Sequence, residues 1–67
     1  MKAKELRQVR EGEMFTLKEL PEPKESQVWI RNHYDRASKT YSASNYADVN
    51  RERFLKPNRI VYTDFIF

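Results

Sequence analysis

Gln27-Val28-Trp29-Ile30-Arg31-Asn32-His33-Tyr34 is the densest run of β-branched and aromatic residues in this chain. Such side chains suit the pleated, half-buried surface of a sheet better than a helix. The run predicts a strand, and its alternation predicts two faces. Val28 and Ile30 fall on one, Trp29, Arg31 and His33 on the other. A guanidinium is costly to bury. The expectation is therefore that Val28 and Ile30 fill the core, with Trp29 turned outward beside Arg31.

Turn chemistry on either side extends the pattern. Asp35-Arg36-Ala37-Ser38-Lys39 reads as a short turn, because an aspartate can bond the backbone donors ahead of it. Thr40 to Ser44 is then the return strand of a hairpin. Upstream, Pro21 and Pro23 make residues 20–26 a loop. Before that loop, Phe15 and Leu17 alternate with polar residues in a first strand over 13–18. Gly12, the sole glycine, marks a turn with positive φ at its start. Residues 1–11 form an N-terminal arm or short helical turn, with Leu6 and Val9 three apart. Residues 48–55 fit either a short helix or a loop leading to a strand at Arg53-Phe54-Leu55. Lys56-Pro57-Asn58 is a turn signal. Arg59 to Phe67 is the last strand, apolar enough to lie inside the sheet, with Val61, Thr63, Phe65 and Phe67 inward and Tyr62 outward. Phe15, Leu17, Tyr41, Leu55 and Phe54 complete the expected core.

The predicted class is all-β: one small domain over residues 1–67, built as a strongly twisted antiparallel sheet or half-open barrel. It has four to five strands and at most one short helical turn. A flat sheet this small would leave an apolar face wet.

Composition narrows the chemistry. The 67 residues include no cysteine, which excludes disulfides, thiolate metal sites and thiol catalysis. A chain so short must then rest on packing or on a partner subunit. No run approaches the roughly 20 apolar residues of a membrane helix, and no apolar segment follows the basic N-terminus, so the expected location is cytoplasmic, without membrane contact. Net charge is +3. Residues 1–10 carry four bases and one acid, residues 11–25 two bases and five acids, and residues 26–67 seven bases and four acids. The excess thus sits in the arm and the second half.

Catalysis is not expected. His33 is the only histidine, and Ser26, Ser38, Ser42 and Ser44 lack an evident base. Acid pairs such as Asp35 with Asp48 or Glu52 arise by chance among ten acids. One glycine cannot build a phosphate-binding loop. A walled pocket of about 300 Å³ or more is also not expected in so small a chain. No cofactor or metal is expected.

Two binding readings follow. In the first, the protein is an interaction or assembly module. Outward Trp29 near Tyr62 and Arg31 has the composition of an interface centre. Phe65-Ile66-Phe67 is either buried or offers an edge for strand addition or homodimerisation. In the second, it binds single-stranded nucleic acid, with Trp29, Tyr34 and Tyr62 stacking on bases and Arg31, Arg36, Lys39 and Arg59 meeting phosphates.

A resemblance is carried by Gly12-Glu13-Met14-Phe15, Val28-Trp29-Ile30-Arg31, Tyr34-Asp35-Arg36 with Lys39 and Tyr41, Asp48-Val49-Asn50 with Arg53-Phe54-Leu55-Lys56, and Val61-Tyr62 with Asp64-Phe65. In their order and spacing these resemble a group of small uncharacterised proteins of Bacteroides-type gut bacteria, their mobile elements and phages. Asn32 and Pro57-Asn58 stand where that group leads one to expect glycine. The resemblance implies a small β-rich fold and a mobile-element or phage setting. It implies no activity.

Overall fold

The computed structural model describes residues 2–67. Six strands form one antiparallel sheet: β1 Lys2–Glu5, β2 Met14–Thr16, β3 Val28–Asp35, β4 Thr40–Asn45, β5 Glu52–Leu55 and β6 Ile60–Thr63. Their spatial order is β1-β6-β2-β3-β4-β5. Two 3-10 turns, Leu6–Gln8 and Glu25–Gln27, are the only helical elements among the described residues. The all-β class holds. The count is six strands rather than four to five, and two helical turns rather than at most one. The added strand is β1, which lacks the alternation that marks the others yet pairs with β6 from Lys2↔Thr63 to Glu5↔Ile60.

Loop length shows that the sheet curls. In a flat sheet β5 and β6 would lie four strand spacings apart, about 19 Å. Five residue steps join Leu55 to Ile60, reaching about 17 Å at full stretch. Within them the Arg59 N–H donates to the Lys56 carbonyl at 3.1 Å, which folds the link into a turn. The strands must therefore wrap toward one another. The outer strands β1 and β5 are not paired, so the sheet stays open.

One cluster fills the concave face: Leu6, Val9, Phe15, Trp29, Ala43, Leu55 and Val61, with Leu17 and Tyr41 packed against it. Leu6 and Val9 arrive from the arm. Its turn is fastened by the Leu6 N–H to the Arg59 carbonyl (2.8 Å) and the Arg7 N–H to the Pro57 carbonyl (3.0 Å).

This corrects the expected sidedness of β3. Trp29 is only 5% exposed and belongs to the core, whereas Ile30 is half-buried on the opposite face. Directly paired residues share a face. Phe15, Trp29 and Asn45 form one row, and Tyr62, Thr16 and Val28 a row on the other side. That second row is covered too. The C-terminal tail leaves the sheet at Asp64 (φ 59°), its Ile66 N–H donates to the Pro21 carbonyl at 2.9 Å, and its Phe67 ring meets Tyr46 edge-on at 4.9 Å. Val28 is thereby fully buried as well. A strand covered on both faces carries no inside–outside signal in its alternation.

Charge does not mark the outside of β3, because Arg31 is itself half-buried on the concave face. Its apolar stem lies along the concave face and its guanidinium stacks on Tyr41, with Cζ 4.1 Å from the ring centroid. Three other placements differ from expectation. Phe54 is 58% exposed, because it pairs with Ser42 on the face of β5 opposite to Leu55; Phe67 is 49% exposed and Phe65 is half-buried, because β6 ends at Thr63. Residues 52–55 are a strand, the second of the two alternatives.

Gly12 adopts φ +88°, as its turn requires. Its N–H donates to the Arg31 carbonyl at 2.7 Å, and a Cβ there would meet nothing within 4 Å. Gly12→Ala should therefore lower stability through backbone strain alone, by about 1–2 kcal/mol. A urea melt checks this; an unchanged midpoint would contradict it.

Candidate nucleic-acid interface

A bulge in β3 builds the site. Arg31 pairs with Ala43, but Tyr34 pairs with Tyr41, so the register slips by one residue between them. Without the slip, Tyr34 would face away from Arg31, three positions earlier. With it, Arg31, Tyr34 and Tyr41 share the concave face. The tyrosine rings lie 5.0 Å apart and tilted by 59°, with the Arg31 guanidinium over Tyr41. Tyr34 keeps 40% of its surface exposed. The Arg31 Nε is buried without a hydrogen-bond partner among the described residues.

Beyond Tyr34 the chain turns through 36–39. Asp35 accepts from the Ala37 N–H and the Ser38 hydroxyl, both at 3.0 Å. This is the turn expected from the sequence, and it carries Arg36 and Lys39 at its exposed tip. Lys39 takes φ 55° to re-enter β4.

Topology brings further cations to this end. Leu55 pairs with Tyr41, so the β5–β6 turn, with Lys56 and Arg59, emerges beside the β3–β4 hairpin. The arm's turn is bonded to that same link and adds Arg7, with Arg10 following. Seven bases (Arg7, Arg10, Arg31, Arg36, Lys39, Lys56, Arg59) thus stand against four acids (Glu5, Glu11, Glu13, Asp35), a net +3. Three of the acids have internal partners. Glu5 pairs with Arg7 at 3.0 Å, Glu13 accepts the Arg10 N–H at 2.8 Å, and Asp35 holds the hairpin. The Arg7–Glu5 contact is the sole ion pair among the described residues. At the opposite end, residues 17–27, 46–51 and 64–67 carry Lys18, Lys24 and Arg51 against Glu19, Glu22, Glu25, Asp48 and Asp64, a net −2. Charge is therefore separated along the strands.

Five of the seven residues expected from the sequence gather here: Arg31, Tyr34, Arg36, Lys39 and Arg59. Two do not. Trp29 is in the core, and Tyr62 is half-buried on the far face, paired with Thr16 and Ala3. Arg7, Arg10, Lys56 and Tyr41 belong to the site and were not assigned to it from sequence. The basic block at residues 1–10 was the signal for Arg7 and Arg10, and the interleaving of bases with aromatics was the signal for Tyr41 and Lys56.

Two clefts, of about 420 and 340 Å³, are open to solvent rather than walled. The first lies between Gly12–Met14 and the C-terminal tail, and the second is floored by Leu17, Leu20 and Trp29. Neither adjoins His33 or a cluster of acids, and no group of three potential metal ligands occurs among the described residues. No helix is long and apolar enough to cross a membrane. The chain matches no family model, no curated protein and no solved structure, so its functional reading rests on this geometry.

Proposed function

We propose that this protein binds single-stranded nucleic acid without strong sequence preference, at the end of the sheet formed by the β3–β4 hairpin, the β5–β6 turn and the arm. The observation that carries the reading is the convergence there of seven bases from three separate chain segments, nearly all free of carboxylate partners, around an exposed tyrosine. Cations spaced over such a surface suit a chain of phosphates, since each neutralised phosphate releases counterions. Tyr34 supplies a stacking face, which favours unpaired bases over a duplex. The opposite charge at the far end orients an approaching polyanion toward the basic end. With Trp29 enclosed, the first of the two readings, an interaction or assembly module, loses the interface centre proposed for it.

A labelled oligothymidylate, followed by fluorescence anisotropy against salt, tests the proposal. If about three to four phosphates are contacted, the log–log slope should be about −2 to −3. Tyr34→Ala should weaken binding at least about fivefold and leave the slope unchanged, because a stacked base contributes about 1–3 kcal/mol without displacing counterions. The Arg36→Glu, Lys39→Glu, Arg59→Glu triple variant should flatten the slope. Absence of binding at low salt would overturn the reading, as would equal affinity for a duplex of the same length.

A further inference from the structure

We infer that the free edge of β5 is a self-complementary pairing site, through which two copies of this chain join their sheets about a twofold axis at Phe54. The hydrogen-bond phase of the strand points there. The Asn45 N–H donates to the Arg51 carbonyl at 3.0 Å, and the β4–β5 register continues through Ala43↔Arg53 and Tyr41↔Leu55. In an antiparallel ladder bonded pairs alternate with non-bonded ones. The Arg51 carbonyl and the backbone groups of Arg53 and Leu55 are therefore spent on β4, while the Arg51 N–H donates to the Asp48 carbonyl at 3.0 Å, and Glu52 and Phe54 direct their groups outward, to an edge that no strand among the described residues covers.

Antiparallel pairing centred on Phe54 makes that residue a bonded pair with its own copy, so the two exposed Phe54 rings meet across the axis. The same register sets Glu52 opposite Lys56 of the second copy, twice, on the face that Phe54 occupies. Both residues are exposed, and neither has an ion-pair partner among the described residues. Aromatic pairs and opposite charges directly across a ladder stabilise it, and like charges oppose it. The other edge strand supplies the contrast. In β1, Lys2-Ala3-Lys4-Glu5, centring on Ala3 sets Lys2 against Lys4, and centring on any other residue of the strand sets a charge against itself. One edge thus rejects its own copy, and the other accepts it. The basic end contributes only Lys56 to this pairing, so the inference does not depend on nucleic-acid binding.

Sedimentation velocity across a concentration series reads the result. The unaltered chain should show a concentration-dependent monomer–dimer equilibrium. Glu52→Lys and Lys56→Glu should each weaken dimerisation at least tenfold, because each sets like charges across the axis. Mixing these two variants should restore the dimer as a heterodimer, since all four charges then face opposites. Circular dichroism shows whether both variants are folded. A chain that stays monomeric at millimolar concentration would overturn the inference. So would single variants that dimerise like the parent, or folded variants whose mixture stays monomeric.

Discussion

Trp29→Ala should destabilise the fold by about 3–5 kcal/mol. Trp29 is 5% exposed and shares the concave core with Phe15, Leu6, Val9, Ala43, Leu55 and Val61. Truncating a buried tryptophan removes its transfer free energy and leaves a cavity, a loss of about 3–5 kcal/mol. A domain of 67 residues has about 3–10 kcal/mol of stability in total, so the loss is of the same order as the whole. A cluster of seven buried apolar side chains, Trp29 included, has little capacity to close over the gap. Arg51 and Arg53, whose guanidinium carbons stand 5.8 and 5.7 Å from the ring, add weak cation–π contacts that go with it. The far-ultraviolet dichroism of the variant should lose its cooperative melt or shift it down by more than about 12 °C. Were Trp29 outward, the change would stay within about 0.5 kcal/mol. As the single tryptophan, it also reports on itself. In the folded parent its emission should be blue-shifted and protected from iodide, and unfolding should abolish both.

That residue marks where the sequence stopped being legible. Element types followed from composition and turn chemistry. Asp35 does start the hairpin, Gly12 does take positive φ, and Val61 and Thr63 do face inward from an interior strand. Sidedness in β3 did not follow, for two physical reasons. Loops and the tail cover the second face at Val28, which removes the contrast that alternation normally encodes. An arginine with an aromatic ring in reach can line a core with its guanidinium stacked on that ring, even with its Nε buried, so Arg31 was a poor marker of the outside. The bulge after Arg31 was equally invisible, because a one-residue slip has no compositional signature here; the bulge carries Asn32, and no glycine. Yet the bulge puts Tyr34 beside Arg31. The basic end was legible only in pieces, since its three contributing segments are brought together by the curl of the sheet.

Asn45→Asp should destabilise the fold by at least about 2 kcal/mol at neutral pH, and the loss should shrink on acidification. Asn45 is fully buried at the end of β4 and spends both ends of its amide. Its Nδ2 donates to the Ser26 carbonyl at 2.9 Å, which ties down the second 3-10 turn. Its Oδ1 accepts the Ala47 N–H at 3.0 Å and the Asp48 N–H at 3.3 Å, which starts the β4–β5 loop. An aspartate keeps the acceptor side and loses the donor. It then holds a carboxylate oxygen against a carbonyl oxygen out of water, and unsatisfied buried groups cost about 1–3 kcal/mol, more when charged. The carboxylate of the folded variant is therefore harder to ionise than in the unfolded chain. A group of that kind lowers stability above its unfolded-state pKa of about 3.9, and the penalty disappears as pH falls to that value, where the protonated acid can donate to Ser26 again. Urea melts of parent and variant at pH 7 and near pH 4 measure the difference. If the gap were the same at both, Ser26 would not be receiving a hydrogen bond that holds the fold, and the junction of the two loops would have to be stabilised by packing alone.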